Sequence, residues 1–176
     1  MCKTILIVGA AAAVGRRRWT KEHPQMKKSL FGILSTFLLL VSFAVAADGD
    51  RVLGLWNTAE EDCKIEIFKC GDTYCGRIAW LKEPLYPAGD GMGMAGKPIV
   101  DRQNPSPDLR SRPLVGLQLM EGFIYTGENV WERGTIYNPE TGKTYKCKMT
   151  LTAPDHLEVR GFIGISLLGG TSIWTR

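Results

Sequence analysis

Tyr145-Lys-Cys147-Lys-Met149-Thr-Leu151 decides the fold, because apolar and polar residues alternate through it without a break. Side chains on a strand point to opposite faces in turn, so this pattern describes a strand with one face in a core and one in water. Working outward, Cys63, Ile65 and Ile67 alternate with Lys64 and Glu66, and Leu157, Val159 and Gly161 alternate with Glu158 and Arg160. Further strands are expected over 51–58, 74–81, 114–123, 130–137 and 171–176. Turn signals separate them, among them Cys70-Gly-Asp-Thr, Gly127-Glu-Asn, Asn138-Pro-Glu-Thr-Gly142 and Ala153-Pro-Asp. About eight short antiparallel strands in this length suit a closed barrel or a sandwich, so the class is all-β.

The segment ahead of these strands reads as an address. Met26 is followed by Lys27 and Lys28, an apolar run from Leu30 to Val45, and the small residues Ala44, Ala46 and Ala47 before Asp48. That is the basic, apolar and small-residue order of a secretory signal helix, with cleavage expected after Ala47 or Ala46. Residues 1–25 then form an extension upstream of the true start at Met26, and 48–176 form one domain, periplasmic or secreted, with no stable membrane span after cleavage. The formal charge of +4 belongs to this leader. Residues 48–176 carry 15 Lys and Arg against 17 Asp and Glu, a net −2, which removes the electrostatic case for a nucleic-acid partner.

Setting Cys2 aside leaves Cys63, Cys70, Cys75 and Cys147, an even number that suits two disulfides in an exported chain. Zinc is the weaker reading, since no CxxC pair occurs and His156 is the one histidine after residue 47. If Cys70 and Cys75 face each other across a hairpin, Ile67 faces Ile78 and Ile65 faces Trp80, giving one apolar face. Cys63 and Cys147 share inward parity on their own strands. The expected pairs are therefore Cys70 with Cys75 and Cys63 with Cys147.

Residues 82–113 break the strand pattern and hold six of the nine prolines. A connection of this length inside a compact domain is where function concentrates. Its Gly91-Met-Gly-Met-Ala-Gly96 resembles a nucleotide-binding glycine motif, but Pro98 stands where a magnesium-binding Ser or Thr belongs and no helix follows. Arg110 and Arg112, two apart in an extended stretch, present guanidinium groups to one side, able to hold an anion or to pair with Asp101 and Asp108. Asn104, Arg110, Arg112 and the inward Trp80 are the candidate ligand contacts. No catalytic constellation assembles: His156 stands alone, no GxSxG elbow occurs, and no carboxylates can be paired as acid and base. Neither an enzyme nor a cofactor is the reading the sequence favours.

Gly54-Leu-Trp56 opens the strand series and Trp174-Thr-Arg176 closes it. In a closed eight-stranded barrel these strands are neighbours, which sets Arg176 over the Trp56 ring as a structural seal. Together with Cys70-Gly-Asp-Thr-Tyr-Cys75, Asn104-Pro-Ser-Pro-Asp-Leu-Arg110-Ser-Arg112-Pro-Leu and Gly134-Thr-Ile-Tyr137-Asn-Pro-Glu-Thr-Gly-Lys-Thr-Tyr145, these motifs resemble an exported bacterial family catalogued as domain of unknown function 2147. The resemblance covers residues 51–176 and implies a small antiparallel lipocalin-like barrel, without an activity to carry over. Two functions follow as expectations. One is a small apolar or amphipathic ligand held in the barrel mouth beneath the long loop. The other is a packed barrel whose arginine loop meets an envelope protein or an anionic glycan.

Overall fold

A computed structural model describes residues 48–167 and 169–176; the expected extension (1–25) and signal segment (26–47) lie outside the described residues. Eight antiparallel strands run in sequence order around a closed barrel: β1 (Gly54–Asn57), β2 (Cys63–Cys70), β3 (Thr73–Leu81), β4 (Gln118–Gly127), β5 (Val130–Asn138), β6 (Lys143–Ala153), β7 (His156–Phe162) and β8 (Gly169–Thr175). The alternation that predicts β6 holds residue by residue: Cys147, Met149 and Leu151 are buried, while Lys146, Lys148, Thr150 and Thr152 are half-buried or exposed. Closure joins β1 to β8 through one pair, Asn57 and Thr175, which completes the ring.

The barrel core is built of large apolar side chains. Trp56, Trp131 and Trp174 are wholly buried, together with Phe123, Ile65, Ile78 and Leu157. Burying each large apolar side chain contributes about 1.5–3 kcal/mol. Each indole N–H finds a nearby acceptor: Trp56 Nε1 donates to the Val52 carbonyl, Trp131 Nε1 to the Gly49 carbonyl and Trp174 Nε1 to Ser172 Oγ. Arg176 lies 4.4 Å from the Trp56 ring centroid and also donates to the carbonyls of Arg51, Leu53 and Pro154. The sealing pair read from the sequence is therefore present, and it also ties the segment before β1 to the β6–β7 turn.

That segment closes one end of the barrel. A 3₁₀ turn at Asp50–Val52 brings Asp48 within 2.6 Å of the Tyr125 hydroxyl, while Asp50 accepts from Tyr74 at 2.8 Å and Lys69 at 2.7 Å. The hydrogen bond from Tyr125 holds the Asp48 carboxyl below the usual range, and that from Lys69 does the same for Asp50.

Two expectations about the cysteines and one about register need correction. Cys70 and Cys75 form a disulfide, with Cα atoms 5.9 Å apart, but they are not directly opposite. Gly71, at φ +60°, allows a two-residue turn, so Cys70 faces Thr73 and Phe68 faces Cys75; the bridge is diagonal on the outer face. Cys147 is a buried free thiol, so the Cys63–Cys147 bridge does not form. Both residues point inward, as parity requires, but β2 and β6 are four strands apart in a ring of eight. Opposed walls stand about 10 Å or more apart, beyond the Cα reach of a disulfide. Burial pushes the Cys147 thiol up to about 12. Finally, β3 carries an extra residue, Ala79, between Ile78, which faces Ile65, and Trp80, which faces Lys64. This bulge reverses the side-chain parity beyond it, so Trp80 points outward, 43% exposed, with Lys64 Nζ 5.6 Å from its ring centroid.

Candidate functional site

The end opposite the Asp48 closure carries the β1–β2, β3–β4, β5–β6 and β7–β8 connections. Of these, the β3–β4 connection over residues 82–117 is by far the longest, and it lies across the mouth as a lid. A 3₁₀ turn at Pro107–Leu109, with Arg110 still helical, replaces the extended stretch expected around Arg110 and Arg112, and two antiparallel bridges, Leu85 with Pro98 and Val100 with Pro113, fold the connection back on itself. Ile99, Leu114 and Leu117 drop from it into the barrel core.

What pins the lid is a carboxylate. Asp101 is 0% exposed, a position an acid occupies only when its oxygens are satisfied. Arg112 donates to Oδ2 through Nε (3.1 Å) and Nη2 (2.9 Å), and Asn104 Nδ2 donates to the same oxygen at 2.8 Å. The Tyr137 hydroxyl, on β5, donates to Oδ1 at 2.6 Å. The backbone reinforces this, since Asp101 N–H donates to the Arg112 carbonyl at 3.0 Å. Burial first, and then the hydrogen bond to Asp101, push the Tyr137 phenol up to about 12. Tyr137 is the one member of this latch on the barrel wall, so it couples lid to barrel. A second anchor is steric: Gly142, in the β5–β6 turn, has φ +67°, and a Cβ there would collide with the Gln103 carbonyl oxygen of the lid.

Beside the latch, a cavity of about 150 Å³ opens between the lid and the β5–β6 turn. Tyr86, Val100, Leu114 and Pro139 give it apolar walls; Arg102 and Glu140 add charge. The Arg102 guanidinium lies 3.9 Å from the Tyr86 ring centroid. Its Nη2 is buried and makes no hydrogen bond. The Asp90 carboxylate stands 3.7 Å away, outside hydrogen-bond reach.

Residues 54–176 match the bacterial family described as "Uncharacterized protein conserved in bacteria (DUF2147)". The chain belongs to this family. Among solved structures it is similar to one described as "Protein HP1028 from the human pathogen Helicobacter pylori belongs to the lipocalin family", at 24% identity and TM-score 0.59, covering 71% of this chain and 82% of that one. At that identity the likeness speaks for the fold: a lipocalin-like barrel. No curated protein matches the chain.

In this DUF2147 chain the four candidate ligand contacts separate. Asn104 and Arg112 meet in the latch and also edge a cleft of about 290 Å³ on the outer wall, beside Gln118, Glu121 and Thr135. Arg112 is engaged by Asp101. Arg110 turns away and donates through Nε to the Asn104 carbonyl at 2.7 Å, so the two arginines do not converge on one anion. Trp80 lies on the outer wall of β3. His156 pairs with Asp155 at 2.8 Å on an exposed turn. Tyr137, Tyr86 and Arg102 were not legible as site residues: Tyr137 lies in a strand whose partner is a distant loop, and no local pattern marks an arginine whose nitrogen becomes buried.

Proposed function

We propose that this protein is an exported, periplasmic or secreted barrel that holds a small amphipathic ligand at its lidded mouth, apolar body against Tyr86, Val100 and Leu114 and acidic head on Arg102. The buried Nη2 of Arg102 carries this reading, because it pairs with the Asp90 charge at 3.7 Å but makes no hydrogen bond; a guanidinium N–H in that state favours an acceptor, and a carboxylate forms the strongest such bond. Cavities of this kind, apolar with a few convergent polar groups, are the usual form of small-ligand sites. With Trp56 and Trp131 packed against the segment at the closed end, this reading keeps the ligand at the mouth, where the sequence had it. Export is supported by the Met26–Ala47 pattern and by the Cys70–Cys75 disulfide, which suits an oxidising compartment. The reading of the arginine loop as an anion-binding surface has less support, since Arg110 and Arg112 are engaged within the lid.

The test is calorimetric titration with octanoate and with octanol. Octanoate binds more tightly by roughly 10- to 100-fold, the value of one charge-assisted hydrogen bond, and Arg102→Met removes that difference. Binding of neither compound, together with no ligand retained in native mass spectrometry, sinks the proposal.

A further inference from the structure

At the mouth end, the β7–β8 connection departs from every other turn of the barrel. Ile163, Ile165 and Leu167 are 69%, 62% and 73% exposed, separated only by Gly164 and Ser166. Such a stretch collapses onto a barrel unless something holds it out. Arg160, on β7, does so: its Nε donates to the Ser166 carbonyl at 2.8 Å and to Ser166 Oγ, and its Nη1 donates to Thr171 Oγ1 at 2.7 Å. The tip is thus a stapled hairpin presenting three large apolar side chains to water. The lid adds Leu85 and Met92, 48% and 71% exposed, at the same end. The opposite end has polar turns, Gly71-Asp72, Glu128-Asn129 and Pro154-Asp155.

Size and charge select the occupant. Three such side chains, each of roughly 60–120 Å² and about two-thirds exposed, offer on the order of 200 Å², whereas a stable protein partner covers about 800 Å² on each side. Insertion among lipid headgroups needs no matching shape and is driven by apolar area plus attraction to anionic lipid. Beside the tip on its β6 side stand two basic residues: Lys146 faces Phe162 across the β6–β7 ladder, Lys143 begins β6, both are exposed, and neither forms an ion pair among the described residues. Acids of this end, Glu60, Glu61, Asp62 and Glu140, belong to the β1–β2 and β5–β6 connections. We propose that the β7–β8 tip inserts into the headgroup region of a lipid bilayer containing anionic lipid, seating the mouth end against the membrane. This holds whether or not the mouth takes an amphipathic ligand.

Hydrogen–deuterium exchange of the full chain, with and without phosphatidylcholine–phosphatidylglycerol vesicles, tests it while keeping the apolar leader separately readable. Exchange slows at 163–167 and stays unchanged at the Gly71-Asp72 turn. Ile163→Ser with Ile165→Ser and Leu167→Ser abolishes the slowing, each substitution weakening insertion roughly tenfold. If loss of protection in β6 shows the triple variant to be misfolded, Ile165→Ser alone carries the comparison. Lys143→Ser with Lys146→Ser removes the preference for anionic over purely zwitterionic vesicles. Vesicle binding through residues 26–47 with no slowing at the tip overturns the proposal, as does slowing that appears without lipid as protein concentration rises.

Discussion

Replacing Asp101 by Asn tests the latch directly. The substitution keeps the side-chain volume and one carbonyl oxygen, but it removes the charge; with that oxygen facing the Arg112 and Asn104 donors, the amide NH2 meets the Tyr137 hydroxyl, which loses its acceptor. Breaking a buried ion pair by changing one partner costs about 3–5 kcal/mol. The lower figure applies here, because the Arg112 side chain is 37% exposed and regains water while that of Asp101 is at 0%. A loss of about 3 kcal/mol corresponds to a change on the order of a hundredfold in an opening equilibrium. The assay is native-state hydrogen exchange at the lid amides of Ile99, Asp101 and Leu114, which donate to the carbonyls of Pro84, Arg112 and Ile99. Protection at these three falls by that factor, while Tyr125 and Trp131, next to the opposite end of the barrel, change little. A fall of less than about threefold at the lid refutes the reasoning, and so does an equal fall everywhere, which assigns Asp101 to the barrel as a whole.

Arg176→Ala destabilises the barrel by about 1–2 kcal/mol in urea unfolding, and Arg176→Lys recovers less than half of this, because the ammonium cannot span the three carbonyls and the Trp56 ring; full recovery by Lys contradicts the seal. Asp48, Asp50 and Asp155 have carboxyl pKa values held below 3.8 in the folded state, so their contribution is complete above that value and is lost as pH falls through the depressed values; the urea midpoint stays level down to about pH 5 and drops below pH 4, and Asp50→Asn flattens the drop. Tyr137 is raised to about 12, so folded protein binds its proton more tightly than unfolded chain and stability declines as pH climbs from about 10 toward 12; phenolate absorbance of Tyr137→Phe lacks one late-titrating phenol, while that of Tyr74, also raised by burial, remains. Cys147, buried with its thiol raised to about 12, resists iodoacetamide in the folded protein and reacts at the rate of unfolding, measured by mass spectrometry; prompt alkylation contradicts its burial.

Alternation in the sequence carried the barrel. The β2, β6 and β7 patterns, the turn glycines and the Trp56–Arg176 pair are local or terminal features, and each reappears in the structure. What alternation does not encode is an inserted residue. Ala79 adds one position to β3, and everything beyond it changes face, which is how Trp80 went from expected interior to outer wall. Parity likewise records which way a cysteine points but not which wall it stands on, so Cys63 and Cys147 could match in parity and still be separated by the core. Arg112 with Asp101 was legible as a pair that pins the loop, because both belong to one short segment. Tyr137 was not, since its role depends on where the lid lands.

The contact of Arg176 with the Leu53 carbonyl spans 123 residues. Strands β1 to β7 can pair with their neighbours as they appear, but the outer edge of β1 has no partner until β8 is available. Contacts this distant in sequence are made late and slowly. A chain emerging from its N-terminus therefore stays an unclosed ribbon until nearly all of it has been made. Until then both outer edges of that ribbon remain unpaired.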